Sequence, residues 1–129
     1  MKDLLIDTGI YTRALKGDRE VVSVLQSASQ IGMTSISIGE LLMGFRGEKR
    51  EKQKREELET FLDSPRTFVC VVDENTAEYY AEIWTGLKKA RTSISTNDLW
   101  IAALAFQHGL KLFTQDGHFK KIAGLLLVS

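Results

Sequence analysis

Short apolar runs and longer segments of helical spacing alternate along the whole chain. Residues 4–6 (Leu-Leu-Ile) predict a strand, followed by one or two helical turns carrying Ile10, Tyr11, Ala14 and Leu15 and closed by Gly17. Asp18 is placed to cap a second helix with Val21, Val22, Leu25 and Ala28 on its inner face, because a short oxygen side chain there accepts from the orphan amides of the first turn. Residues 33–35 read as a second strand, and a helix then starts at Ser37 and runs through Leu41 and Leu42 to about Phe45. Segment 48–63 interleaves Lys, Arg and Glu and offers only Leu58, Phe61 and Leu62 to a core, so it predicts a helix with a solvated outer face. Ser64-Pro65 ends it, since proline restricts the residue before it and cannot donate to a helix.

The second half keeps the alternation. Residues 67–72 form a strand rich in β-branched side chains, and Asn75 is placed to cap a helix in which Ala77, Tyr80, Ala81, Trp84 and Leu87 recur at helical spacing. A polar loop at 91–96 leads into a helix over 97–107 that ends at Gly109. Residues 111–114 read as a strand, Gly117 as a turn and 125–128 as a final strand. With no repeat, low-complexity segment or linker in view, the pattern predicts one α/β domain over residues 1–129. Strands alternating with helices imply an α/β/α sandwich around a short, mainly parallel central sheet.

Composition narrows the functional classes. Seventeen basic residues balance seventeen acidic ones, so nucleic acid is not drawn by net charge and any binding must come from a local basic patch. Cys70, the single cysteine, sits in the apolar run TFVCVV and reads as a small buried hydrophobe. Acids at positions 3 and 7 interrupt any signal-peptide core, and no apolar stretch nears the roughly twenty residues of a membrane helix. The expected location is cytoplasmic.

Against this ordinary background four acids stand out, each embedded in apolar sequence: Asp7 in LLIDTGIY, Glu40 in ISIGELLMG, Asp98 in STNDLWIAALA and Asp116 in LFTQDGHF. A carboxylate in apolar surroundings either neutralises or finds a compensating charge. Asp7 and Asp116 follow predicted strands, while Glu40 and Asp98 fall in the expected first turns of helices. All four can therefore meet at one carboxyl edge of the sheet, where open parallel sheets bind ligands. Gathered there they call for a hard cation, Mg²⁺ or Mn²⁺, and for phosphoryl chemistry.

Each acid also has an ordinary reading. Ser37-x-x-Glu40 fits a capping box, Asp98 can complement a helix dipole, and Asp7-Thr8-Gly9 and Asp116-Gly117 fit turns. His108 reads as a helix-end residue and His118 as a loop residue within reach of a substrate phosphate. No Gly-rich phosphate loop, HExxH or cysteine pair is present.

The segments LLIDTGIY, SIGELLMG, ISTNDLWIAALAFQHGLKLFTQD and HFKKIAGLLLV resemble, in order and spacing, the PIN-domain ribonucleases, and among them the VapC-type toxins of toxin–antitoxin pairs. The resemblance implies a PIN-like sandwich and a Mg²⁺- or Mn²⁺-dependent endoribonuclease that leaves 5′-phosphate and 3′-hydroxyl ends. It implies that Asp7, Glu40, Asp98 and Asp116 hold the metal, with Thr8, Asn97 and Thr114 supporting them. It further implies a homodimer, inhibited by a cognate antitoxin that blocks the acidic pocket. Arg46, Lys49 and Arg50, beyond the Glu40 helix, read equally as a track for an RNA backbone and as part of an exposed mixed-charge helix. Gly9 stands where the family commonly carries Asn or Ser, and Gln115 where Arg is frequent.

Two other readings fit the residues less well. An aspartate-nucleophile phosphatase built on Asp7 needs an acid two residues later, where Gly9 stands. A catalytically silent PIN-fold protein-binding module has no reason to keep four mutually repelling acids.

Overall fold

Leu4, Leu5 and Ile6 are all buried to within 1% of full burial, which a strand achieves only when both of its faces are covered. Leu4 and Ile6 enter one hydrophobic core and Leu5 the other. The computed structural model describes residues 3–128 and builds its sheet around this strand. Met1, Lys2 and Ser129, the ends of the domain expected over 1–129, lie outside the described residues.

Among the described residues the strands are β1 (Leu4–Ile6), β2 (Ile31–Thr34), β3 (Thr67–Cys70) and β4 (Lys111–Phe113). They pair in parallel in the order β3-β2-β1-β4. Helices α1 (Thr8–Leu15), α2 (Arg19–Ser27), α3 (Ser35–Phe45) and α4 (Glu51–Asp63) send Ile10, Tyr11, Val21, Leu41, Phe45 and Leu58 onto the Leu4/Ile6 face. Helices α5 (Glu74–Lys89) and α6 (Thr96–His108) and the 3₁₀ turn Gly117–Lys121 cover the Leu5 face with Leu87, Leu99, Leu104 and Phe119. This is the expected α/β/α sandwich. The chain leaves β1 toward β2 and β3 and returns on the other side with β4, so the strand order reverses at β1. Such a switch point opens a crevice at the carboxyl ends of the strands.

β2 and β3 approach closely because position 32 is glycine. A Cβ on Gly32 would lie 2.7 Å from two ring atoms of Phe68. Cys70 is buried and its thiol is pushed up to about 11 by that burial, so it is a packing residue and a poor nucleophile at neutral pH.

Several boundaries move, each for a local reason. β2 spans Ile31–Thr34, and Ser35 opens α3, because the Thr34 hydroxyl accepts from the Ser37 amide and acts as the cap. α4 begins at Glu51, after a turn, rather than at 48. Asp73, not Asn75, caps α5: its carboxylate accepts from the Asn75 and Thr76 amides while Thr76 Oγ1 accepts from the Asp73 amide. The inner face of α5 is accordingly Thr76, Tyr80, Ile83 and Leu87, and Ala77, Ala81 and Trp84 face outward. β3 stops at Cys70 and β4 at Phe113. The final strand expected at 125–128 is reduced to a single bridge between Leu127 and Leu112, flanked by hydrogen bonds from the Leu112 amide to Leu126 and from the Val128 amide to Leu112.

Candidate active site

β1 hands the chain directly to Asp7, which caps α1 by accepting from the Ile10 amide at 3.0 Å through Oδ1. Asp116 follows β4 and caps the 3₁₀ turn, accepting from the His118 amide at 2.9 Å. Asp98 lies in the first turn of α6, behind the Ser95 cap. Glu40 lies in the second turn of α3, not the first, and the capping box proposed for it does not form, since Ser37 is inside the helix and Thr34 is the cap. Two of the four acids, Asp7 and Asp116, thus serve as caps as well. All four, however, line one cavity of about 340 Å³ at the carboxyl edge of the sheet, with Thr8, Gly9, Arg13 and Gln115.

Neighbouring side chains fix the carboxylates. Thr8 Oγ1 lies 2.6 Å from Glu40 Oε1 and 2.9 Å from Ser37 Oγ. A hydroxyl has one proton, so Thr8 gives it to the carboxylate and Ser37 donates to Thr8. Asn97 Nδ2 donates to Glu40 Oε2 at 3.3 Å, so both oxygens of Glu40 are held. The Thr114 hydroxyl donates to Asp7 Oδ2 and accepts from the Asp116 amide at 2.9 Å, which ties two of the acids through one side chain. Thr8, Asn97 and Thr114 therefore all bond to the acids or their backbone. Ser37, fully buried and three residues before Glu40 on the same helical face, reads from the sequence as a helix cap paired with Glu40; the structure instead places its hydroxyl on Thr8.

The acids feel one another. Burial holds the Asp7 carboxyl above the usual carboxylate range, opposed by hydrogen bonds from Thr114 and Ile10 and reinforced by the charges of Asp116 and Glu40. Asp98 is likewise raised by burial, against its hydrogen bond with Ser95, and further by Asp116, Glu40 and Asp7. Mutual repulsion of this kind is relieved by a cation. Among the described residues no group of three or more His, Cys, Asp or Glu side chains is already in position to hold an ion; the carboxylates ring the cavity instead of closing on a point. A ring of that kind suits Mg²⁺, which keeps several waters and takes only one or two carboxylates directly. The donor set, all oxygen, fits Mg²⁺ or Mn²⁺ and not a soft ion.

The remaining expectations sort by position. Arg46, Lys49 and Arg50 are exposed just after α3 and do not line the cavity. His118 Nδ1 lies 2.8 Å from Asp116 Oδ1, with both side chains solvent-exposed. A Cβ on Gly9 would meet nothing nearer than Asp7 Oδ1 at 3.8 Å, so the missing Asn or Ser side chain is an absent polar group and not a steric accommodation. Larger depressions of about 410 and 550 Å³ lie along α5, the first walled by Ile83, Leu87, Phe106 and Ile122. Neither contains any of the four acids.

Residues 4–125 match the PIN domain family model. The ribonuclease VapC1 of Rickettsia felis is 32% identical over 95% of this chain and 92% of its own. The ribonuclease VapC4 of Mycobacterium tuberculosis is 30% identical over 68% of each. The crystal structure of VapBC2 from Rickettsia felis, bound to a DNA fragment from its promoter, superposes with a TM-score of 0.86 and 28% identity over 99% of this chain and 98% of that one. The chain belongs to the PIN domain family, among its VapC-type members.

Proposed function

We propose that this protein is a metal-dependent endoribonuclease, the toxin of a VapBC-type pair, and that Asp7, Glu40, Asp98 and Asp116 together form its metal site. The observation that carries the reading is the ring of four carboxylates on one cavity at the switch point of the sheet, in a VapC-type chain. When bound, the cation supplies activation of water and charge neutralisation at the phosphate. The chain's own residues set the geometry. Thr114 locks the Asp7 carboxylate to the end of β4, and Thr8 and Asn97 fix the two oxygens of Glu40. Asp98 is presented from the amino end of α6, whose dipole favours an anion there. All four depend on a single sheet, which supports reading the chain as one PIN-like domain.

RNA is the substrate class that the relatives' names indicate, and a cognate antitoxin is the partner their pairing indicates. None of the helices among the described residues is long and apolar enough to cross a membrane, and an RNA substrate fits a cytoplasmic site of action. The test is cleavage of a labelled RNA by the purified, antitoxin-free chain. Products with 5′-phosphate ends are expected in Mg²⁺ or Mn²⁺, and none in EDTA. Equal cleavage in EDTA overturns the metal mechanism.

The same reading includes a homodimer. Among the large apolar residues, Tyr11 and Phe45 belong to the core, Leu42 packs against it, and Trp100 stacks on Tyr80 with ring centroids 4.1 Å apart. Trp84 remains about half exposed, and Val69, Val71 and Val72 lie exposed along the outer edge strand β3 and its continuation. Light scattering at tens of micromolar should give the mass of two chains; a monomer mass removes the dimer from the account.

A further inference from the structure

We propose that Arg13 is a substrate-binding residue whose guanidinium takes an RNA phosphate at the mouth of the acidic cavity, an inference that rests on the nuclease reading above. A polyanion entering this cavity meets four carboxylates, so the site needs a fixed positive charge facing the nucleic acid. Among the described residues lining the cavity, Arg13 is the one cation. It stands one helical turn beyond Gly9 on α1, which also lines the cavity.

Arg13 is not spent on neutralising the acids. Its ion pair runs to Asp18, at 3.6 Å, outside the ring. Asp18 is itself anchored, because its Oδ1 accepts from the Val21 amide at 3.2 Å as the cap of α2 while Oδ2 faces Arg13. The pair is long and the arginine side chain is 55% exposed, so the contact aims the guanidinium without sequestering it. A planar fork of donors matches two phosphate oxygens at once, which a lysine ammonium does not reproduce. Arg46, Lys49 and Arg50 lack this placement, being outside the cavity.

The test compares Arg13→Ala and Arg13→Lys with the parent arginine. Because Arg13 is exposed and outside both cores, neither change threatens folding. Binding is read by anisotropy of a fluorescein-labelled single-stranded RNA oligonucleotide in an Asp98→Asn background, where no cleavage is needed. Arg13→Ala should weaken binding about tenfold, Arg13→Lys by less, and the salt dependence of binding should fall by the equivalent of about one phosphate contact. In the otherwise unaltered chain, KM for RNA should rise more than kcat falls. Affinity of the RNA-free chain for Mn²⁺ should hold or increase, since a positive charge beside the ring has been removed. Unchanged RNA binding and salt slope overturn the proposal, and so does weakened Mn²⁺ affinity, which would make Arg13 a support of the acids. A parent chain that cleaves no RNA overturns the nuclease reading, whereas the binding comparison reads Arg13 by itself.

Discussion

Asp7→Asn and Asp98→Asn should each lower the rate of RNA cleavage at saturating Mg²⁺ by at least about a hundredfold. Loss of residues that merely orient metal ligands costs about 10–100-fold, so loss of a ligand belongs at or beyond the upper end of that range. Asparagine keeps the volume, and at position 7 it keeps the ability to cap α1, since its side-chain oxygen can still accept from the Ile10 amide. At position 98 the cap is the Ser95 side chain accepting from the residue's own backbone amide, which the substitution does not touch. The variants therefore remove charge while leaving the fold in place. Thr8→Val and Thr114→Val provide the scale: each frees one carboxylate oxygen of Glu40 or Asp7 from its hydroxyl and should lose less. The measurement is initial rate against a labelled RNA, with circular dichroism to verify folding. If both Asn variants cleave within a few-fold of the parent, these acids do not serve the chemistry.

In EDTA the same Asp98→Asn change should stabilise the protein at pH 7, raising its melting temperature by a few degrees. Asp98 has its carboxyl raised by burial and by Asp116, Glu40 and Asp7, so the folded state binds its proton more tightly than the unfolded state does. A raised folded value contributes stability that is fully present below the unfolded value, about 3.9. That stability is lost as pH rises through the folded value. Asp7 acts in the same direction. Asp73 acts in the opposite one, because hydrogen bonds led by the Thr76 amide hold it below its ordinary range. The pH profile of the parent alone mixes these signs. The difference between variant and parent isolates Asp98: small near pH 4 and growing toward neutrality. Millimolar Mg²⁺ or Mn²⁺ should then raise the parent's melting temperature and raise the variant's much less, since only the native site binds the ion. A variant that melts lower than the parent in EDTA, with no dependence on pH, would show that Asp98 is not in a repulsive cluster.

The acids were legible because sequence exposes an isolated charge in apolar company, and the strand-then-acid order of Asp7 and Asp116 placed them on one sheet edge. The layers were legible because a run such as Leu4–Ile6, apolar at every position, marks a strand covered on both faces. What misled was competition among neighbours for the same role. Thr34 and Ser37 can each cap a helix, and only the register of β2, whose Thr34 pairs with Cys70, decides for Thr34. Asp73 and Asn75 compete in the same way, and Asp73 prevails by making the reciprocal box with Thr76.

On α5 two stripes share helical spacing. The apparent one, through Ala77 and Trp84, lost to Thr76, Tyr80, Ile83 and Leu87, which pack toward the α6 side. Residues 125–128 carry the apolar pattern of a strand, yet tertiary placement reduces their pairing to one bridge, at Leu127. Arg13 was missed and Ser37 was read only as a cap, because their places in the site depend on side chains far away in sequence: the acids that share the cavity with Arg13 and the Thr8 hydroxyl beside Ser37.

The central claim is that Asp7, Glu40, Asp98 and Asp116 act as one cation site, and Mn²⁺ binding to the RNA-free chain tests it most directly. Free Mn²⁺ can be followed by its paramagnetic resonance signal as protein is titrated in, for the parent and for Asp7→Asn, Glu40→Gln, Asp98→Asn and Asp116→Asn. Saturable binding by the parent, weakened at least about tenfold by every one of the four substitutions, is the result predicted. Binding that survives any two of them at the parent's affinity would contradict a shared site.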